Sequence, residues 1–411
     1  MAKVRVEGFL EVPSNRLGKV AAAIPDHIAL TRAEPGCLDF TVSQDAIADD
    51  KFLLWGIFVD QTAFAQHQAR AGSSPWGLVT AGLDHHYIVT ADTTEDAAPA
   101  GDTGRFPLSD VVRQRAGALG QPGLDWLDEL LSGLEHDWQI TIGPALAGGT
   151  SALVAEATTV GGDSAILKVR MPGTAAGDHE AEVLQAAAGK GYPRLLRHDP
   201  SRNALLLERL GNRLDTMELP YEREVDIICA ALLHAWMPVP EGFSGVTGAD
   251  KANGLAQSIL GRWAGAGQPC AQQVIDTALM YCRDRAAAYR AQSAVLAHGK
   301  PHARNTLAVP DTANPVQYKF IEPCGLAIEP AYDLGVLLSG WHEGVGGRNA
   351  HTIARGHARH LTTRTQVPAE AIWQWGYIER VATGLRLLEN GEIDRGKQFL
   401  ALAEIITSTA R

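Results

Sequence analysis

Residues 91–106, Ala-Asp-Thr-Thr-Glu-Asp-Ala-Ala-Pro-Ala-Gly-Asp-Thr-Gly-Arg-Phe, are small, polar and without hydrophobic period. A stretch of that kind buries too little apolar surface to order itself and reads as a flexible linker. The 411-residue chain is thereby divided into bodies with separate cores, as its length alone suggests. The expected boundaries are a first domain over 1–92, a linker over 93–105 and a second domain over 106–411.

In the first body Val4, Val6, Gly8, Leu10 and Val12 repeat with period two, while Leu17, Val20, Ala21, Ile24, Ile28 and Leu30 form a helical stripe behind a Ser14 cap. A second strand is expected near 38–44. Phe52 to Val59 is nearly all apolar, as in a strand covered on both faces. Asp60 then caps a short helix through Phe64 and His67, and His86-Tyr87-Ile88-Val89 closes the sheet. The order strand, helix, strand, strand, helix, strand is that of a ferredoxin-like half-barrel. His27, His67 and His86 are the acid–base candidates on it.

Several function classes are excluded by composition. Net charge is −11 with both signs interspersed, so no basic stripe exists to meet a nucleic-acid backbone. No apolar run approaches the roughly 20 residues that span a bilayer, and Met-Ala-Lys-Val-Arg-Val-Glu enters a strand pattern at once. A cytoplasmic protein without membrane or nucleic-acid partner is expected. Cys37, Cys229, Cys270, Cys282 and Cys324 make no Cys-x-x-Cys pair and read as reduced structural thiols. His351, His357 and His360 lack a carboxylate at ligand spacing and read as a solvated helix face.

After a helical lead-in with Trp126, Leu127, Leu130 and Leu131 on one face, the second body turns to strand pattern at Trp138. Leu146-Ala147-Gly148-Gly149-Thr150-Ser151 is a glycine-rich turn, followed by the apolar strand Ala165-Ile166-Leu167-Lys168-Val169. Glycines let backbone amides approach phosphate oxygens, and one lysine on such a strand supplies a fixed positive charge. Alone, this pattern reads equally as a plain hairpin. Glu180 shares a helix face with Val183 and Leu184 and should meet Lys168, whereas Glu182 is rotated away. Ala204 to Gly211 is a further strand, and a long helical region over about 220–295 carries Val225, Ile228, Leu232 and Leu233. The loop His298-Gly299-Lys300-Pro301-His302-Ala303-Arg304-Asn305 follows, then Glu322-Pro323 and Glu329 to Gly335.

Two resemblances follow from these residues. Leu30 to Cys37, Phe58-Val59-Asp60, Ala63-Phe64, His67-Gln68 and Trp76-Gly77 resemble the antibiotic-biosynthesis-monooxygenase-like family across 1–92. That likeness implies a homodimer of half-barrels and, in some members, cofactor-free oxidation. Many members carry Glu in the third strand where this chain has Trp55-Gly56-Ile57, so a dimerisation or ligand-sensing module is equally in view. The ordered motifs of the second body resemble the aminoglycoside and hydroxyurea phosphotransferase family, of streptomycin 6-kinase type, over roughly 106–411. This implies an α+β, two-lobed protein-kinase-like fold, with a smaller lobe over about 138–211 and a larger one over 212–411. By the same resemblance Gly148, Gly149 and Ser151 would cover the phosphates of ATP, and Lys168 would bind them and pair with Glu180. Adenine would meet backbone near Glu208, Asn305 would hold Mg²⁺, and Asp333 would brace the loop through His298. His302 and Arg304 flank the site as candidate substrate or phosphate contacts.

Two positions depart from the family, which usually has Asp where this chain has Lys300 and Glu322. Glu for Asp lengthens the side chain by about 1 Å, a misplacement that can cost ~10²-fold in rate. Lys for Asp removes the general base, worth typically ~10²–10⁴. Several readings stand open: impaired transfer to a small-molecule alcohol in antibiotic modification or secondary metabolism; a lysine standing where a metal would, in a pseudokinase that binds a nucleotide or metabolite; Lys300 itself as base; or a loop with no role. Cofactor-free monooxygenase activity in the first domain is a further alternative.

Overall fold

The computed structural model describes residues 3–13, 16–44, 51–83, 85–92, 121–146, 152–170, 179–310 and 317–409. Ser14, the linker 93–105, Gly148, Gly149, Ser151 and the side chain of His86 lie outside this description. Two compact units emerge: residues 1–100, 265–269 and 383–399 form one, and 101–264, 270–382 and 400–411 the other.

The first unit contains an antiparallel sheet in the order β2-β3-β1-β4, built from β1 (Lys3–Glu11), β2 (Cys37–Gln44), β3 (Lys51–Phe58) and β4 (His85–Asp92). Helices α1 (Leu17–Arg32), α2 (Gln61–Gly72) and α3 (Pro75–Thr80) complete the βαββαβ order. Alternation sends Val4, Val6, Leu10, Phe40, Val42, Phe52, Leu54 and Phe58 to one face, where they pack with Val20, Phe64 and Trp76. Each such buried side chain stabilises the fold by roughly 1.5–3 kcal/mol. Asp60 accepts a hydrogen bond from the Ala63 amide at 2.8 Å and so caps α2. Helix α1 begins after Arg16, which makes no side-chain cap. The third strand differs from expectation in being covered on one face: Phe52, Leu54 and Phe58 are buried, while Trp55 and Ile57 are half-buried on the other side. A strand of nearly continuous apolar sequence thus leaves an apolar face open within one chain.

In the second unit α4 (Gln121–Trp138) lays Leu127, Leu130, Leu131 and Leu134 on a five-stranded sheet of order β5-β6-β7-β9-β8. The strands are β5 (Ile140–Ala145), β6 (Ala152–Thr159), β7 (Ser164–Arg170), β8 (Leu195–Asp199) and β9 (Ala204–Glu208), with α5 (Glu180–Ala187) between β7 and β8. This is the smaller lobe. The region read as one long helical stretch is broken into α6 (Tyr221–Ala235), α7 (Gly248–Gly265) and α8 (Gln272–Ala288). Pro238, Pro240 and Gly242 interrupt it first, and Gly265 to Pro269 interrupt it again, because proline lacks the helical N–H and glycine disfavours the helix. The larger lobe also carries β10 (Met237–Pro238), β11 (Val295–Ala297), the hairpin β12 (Thr306–Ala308) and β13 (Tyr318–Phe320), and β14 (Leu326–Ile328). Helix α9 (Ala331–Gly340) follows. Among the described residues no helix is long and apolar enough to cross a membrane.

Candidate active site

Directly opposed strand residues share a face. The register Leu167↔Leu206 and Ala165↔Glu208 therefore puts Glu208 on the α4 side of the small-lobe sheet and leaves Lys168 on the other. There Lys168 Nζ meets both oxygens of Glu180, at 2.8 and 2.7 Å. The two side chains are only 14% and 7% exposed, and Glu180 opens α5, where helix amides favour an anion. Glu182 pairs instead with His179 at 3.0 Å. The Glu208 carboxylate accepts from Lys319 Nζ at 2.7 Å and the Arg194 amide at 2.9 Å.

In the larger lobe, Asp333 lies in the first turn of α9 and is fully buried. One of its oxygens accepts from the His298 amide at 3.0 Å and Trp236 Nε1 at 2.9 Å, and the other from the Gly299 amide at 2.7 Å. Burial pushes its carboxyl above the usual range, against the pull of these three donors. His298 Nδ1 receives the Lys300 amide at 3.1 Å, so Nε2 carries the proton and donates to the Ile321 carbonyl at 3.0 Å. Burial lowers this imidazole to about 3 and keeps it neutral. Asp333 thus holds the loop through the backbone amides of His298 and Gly299 rather than through the imidazole. Gly299 has φ +93°, and a Cβ there would come within 2.8 Å of the Cys324 Cβ.

The hairpin aligns Thr306 with Phe320, and the Ile321 amide donates to the Asn305 carbonyl at 2.9 Å. Asn305 is buried and its amide nitrogen donates to the Lys300 carbonyl at 3.4 Å. Next to Ile321, Glu322 sits in the left-handed region at φ +57°, an unusual place for a residue with a β-carbon. Its Oε2 lies 3.2 Å from Lys300 Nζ, with the side chains 40% and 45% exposed. Burial works to raise the Glu322 carboxyl, but the ammonium groups of Lys168 and then Lys300 hold it below the usual range. Glu322 thus touches Lys300 and feels the charge of Lys168, which itself is bound to Glu180. His302 caps the turn Ala303–Asn305, its Nδ1 accepting from the Asn305 amide at 3.2 Å. Burial, then Lys300 and Arg304, lower its pKa. The Arg304 side chain is 78% exposed and lies 3.5 Å from Asp215, so it is engaged at the surface.

Sequence reasoning missed Trp236, Lys319 and Asp215. Each acts through a contact between distant segments, Lys319 from within the stretch that leads to Glu322.

In the first unit a cavity of about 290 Å³ is lined by Val6, His27, Phe64, His67, Trp76 and Tyr87, among others. His27 stacks on Trp76 at 4.4 Å, its Nδ1 has no partner among the described residues, and burial lowers it to about 3. His67 hydrogen-bonds Glu34 at 3.0 Å, and Arg70 binds the same carboxylate at 2.6 Å.

The model of the aminoglycoside/hydroxyurea antibiotic resistance kinase family matches residues 137–391. The chain belongs to this family. The antibiotic biosynthesis monooxygenase model matches residues 3–74. Streptomycin 6-kinase of Streptomyces glaucescens is 25% identical over 305 residues, covering 73% of this chain and 95% of that protein. The Streptomyces griseus streptomycin 6-kinase is 26% identical over 320 residues, covering 74% and 95%. Among solved structures, choline kinase from Cryptosporidium parvum Iowa II covers 69% of this chain and 98% of that one, at 10% identity and a TM-score of 0.46.

A divalent cation of the kind this resistance-kinase family implies would draw here on Asn305 and Glu322. Among the described residues no cluster of three His, Cys, Asp or Glu side chains exists that could hold a metal. Two oxygen donors on adjoining segments nevertheless fit Mg²⁺, which keeps several waters and binds through one or two side chains plus substrate phosphates. Lys300 shares the Glu322 carboxylate and competes for it. When bound, the ion would neutralise charge on the phosphates.

Proposed function

We propose that the second unit binds ATP through Lys168 and transfers its γ-phosphoryl group to a small molecule, with chemistry altered at Lys300 and Glu322. The observation that supports this reading most is the buried Lys168–Glu180 ion pair on the small-lobe sheet, with Lys300 and Glu322 in contact on the larger lobe. Lys168, oriented by Glu180, is placed to receive phosphates, and the glycine-rich turn with Gly148, Gly149 and Ser151 is assigned to cover them. Asn305 and Glu322 are assigned to Mg²⁺. With Lys300 in the place of the base, an ordinary alcohol would react slowly, by roughly 10²–10⁴ relative to an enzyme with the base present. A second reading, a pseudokinase, is favoured by the Lys300–Glu322 contact, which puts an ammonium on the carboxylate a metal would use. The open apolar face of the first unit, with Trp55 and Ile57, suits a second copy of the same domain, and residues 1–92 are assigned to homodimer assembly.

Calorimetry with ATP, with and without Mg²⁺, tests the assignment, repeated on Lys168→Ala. Binding that needs Lys168 and strengthens with Mg²⁺ supports the kinase reading. Binding indifferent to Mg²⁺ supports the pseudokinase, and no binding rejects both.

A further inference from the structure

Several groups around Lys300 are of types that take a proton from an alcohol, and each is already engaged. Both oxygens of Asp333 accept from buried donors. Both nitrogens of His298 are spent on Lys300 and Ile321 backbone. His302 accepts at Nδ1 from the Asn305 amide, which leaves its proton on Nε2 as a donor. Glu322 is bridged by the Lys300 ammonium. An uncommitted base, which speeds phosphoryl transfer to a hydroxyl by ~10²–10⁴, is missing from this set. In its place a lysine side chain, 45% exposed, stands on a loop pinned from beneath.

Resting on the nucleotide-dependent reading above, we propose that the acceptor is a small-molecule carboxylate, held by Lys300, whose ionised oxygen is itself the nucleophile. A carboxylic acid is ionised at neutral pH and needs no base. Its oxygen bonds to the γ-phosphorus as the bond from that phosphorus to the β–γ bridging oxygen breaks. The electron pair leaves with ADP, the product is an acyl phosphate, and no proton moves. One negative charge on the acceptor and four on ATP become two on the acyl phosphate and three on ADP. Lys300 exchanges Glu322 for the incoming carboxylate, a trade between two charge-assisted hydrogen bonds of the same type. This frees Glu322 for the cation that accompanies the nucleotide.

The test uses the full-length protein with Mg²⁺ and ATP, acetate and benzoate as carboxylate probes, glycerol as the alcohol probe, and hydroxylamine to trap acyl phosphate as hydroxamate. ATP binding is measured on every preparation. The expected result is hydroxamate from the carboxylates at a rate at least ~10² above glycerol phosphorylation, in keeping with the worth of the missing base. Lys300→Ala should lower hydroxamate formation tenfold or more, Lys300→Arg should retain most of it, and Lys300→Asp should turn the preference toward glycerol. The proposal is overturned by faster transfer to glycerol in the natural protein, by hydroxamate formation unchanged in a folded Lys300→Ala, or by an enzyme that binds ATP and yields no hydroxamate. Absence of ATP binding would remove the nucleotide reading itself and the proposal with it.

Discussion

Two of the lysine–glutamate pairs at the candidate site, Lys168–Glu180 and Lys300–Glu322, differ in almost everything except composition. Lys168 grips both oxygens of Glu180 at 2.8 and 2.7 Å with little exposure. Lys300 touches one oxygen of Glu322 at 3.2 Å, and both side chains are near half exposure. Desolvated ions must keep their partners, since a single buried charge left alone costs several kcal/mol. Exposed ions gain little from each other and exchange partners readily. The first pair is therefore held fast by burial, and the second exchanges partners more easily.

The largest effect that would separate them is on folding. Glu180→Gln leaves the Lys168 ammonium buried without a counter-ion and should cost about 3–5 kcal/mol in urea denaturation. A loss below about 1 kcal/mol would place this pair in the class of exposed ones. Acid should act next, through the buried histidines. His298 and His27 fall from 6.5 to about 3 in the fold, so the unfolded chain binds more protons between those values. Stability is fully present above pH 6.5 and is lost as pH falls toward 3, on the order of a few kcal/mol per histidine. Thermal scans across this range should show the decline, and His298→Gln should flatten it in the second unit, while an equal slope would remove His298 as its source. The smallest effect belongs to Lys300→Ala, which should change stability by only ~0–1 kcal/mol, and less in high salt. A larger change would make Lys300 structural and undo the contrast.

How much of this was legible in the sequence depends on whether a residue's role follows from periodicity. The βαββαβ order came from strand and helix periods, and the Asp60 cap from its place before an apolar helix. Period also selects the face of Glu180 that meets Lys168, because Val183 and Leu184 fix which side of α5 is buried. Period says nothing of partners across the fold. It could not show that Glu208 is spent on Lys319, that Asp333 reaches the loop through amides with Trp236 sharing its carboxylate, or that Glu322 adopts a positive φ. The third strand misled for a related reason. Its apolar residues implied cover on both faces, and a single chain supplies cover for one.

The loop that carries Lys300 is held at its backbone by Asp333 and His298, and the Lys300 side chain adds its contact with Glu322. Asp333 holds the two preceding amides, and His298 ties the Lys300 amide to the carbonyl of Ile321. Any residue with a backbone N–H would be held in the same place. Position 300 therefore behaves as a socket, in which the side chain can be exchanged without rebuilding the scaffold, and a change of reaction needs no change of fold.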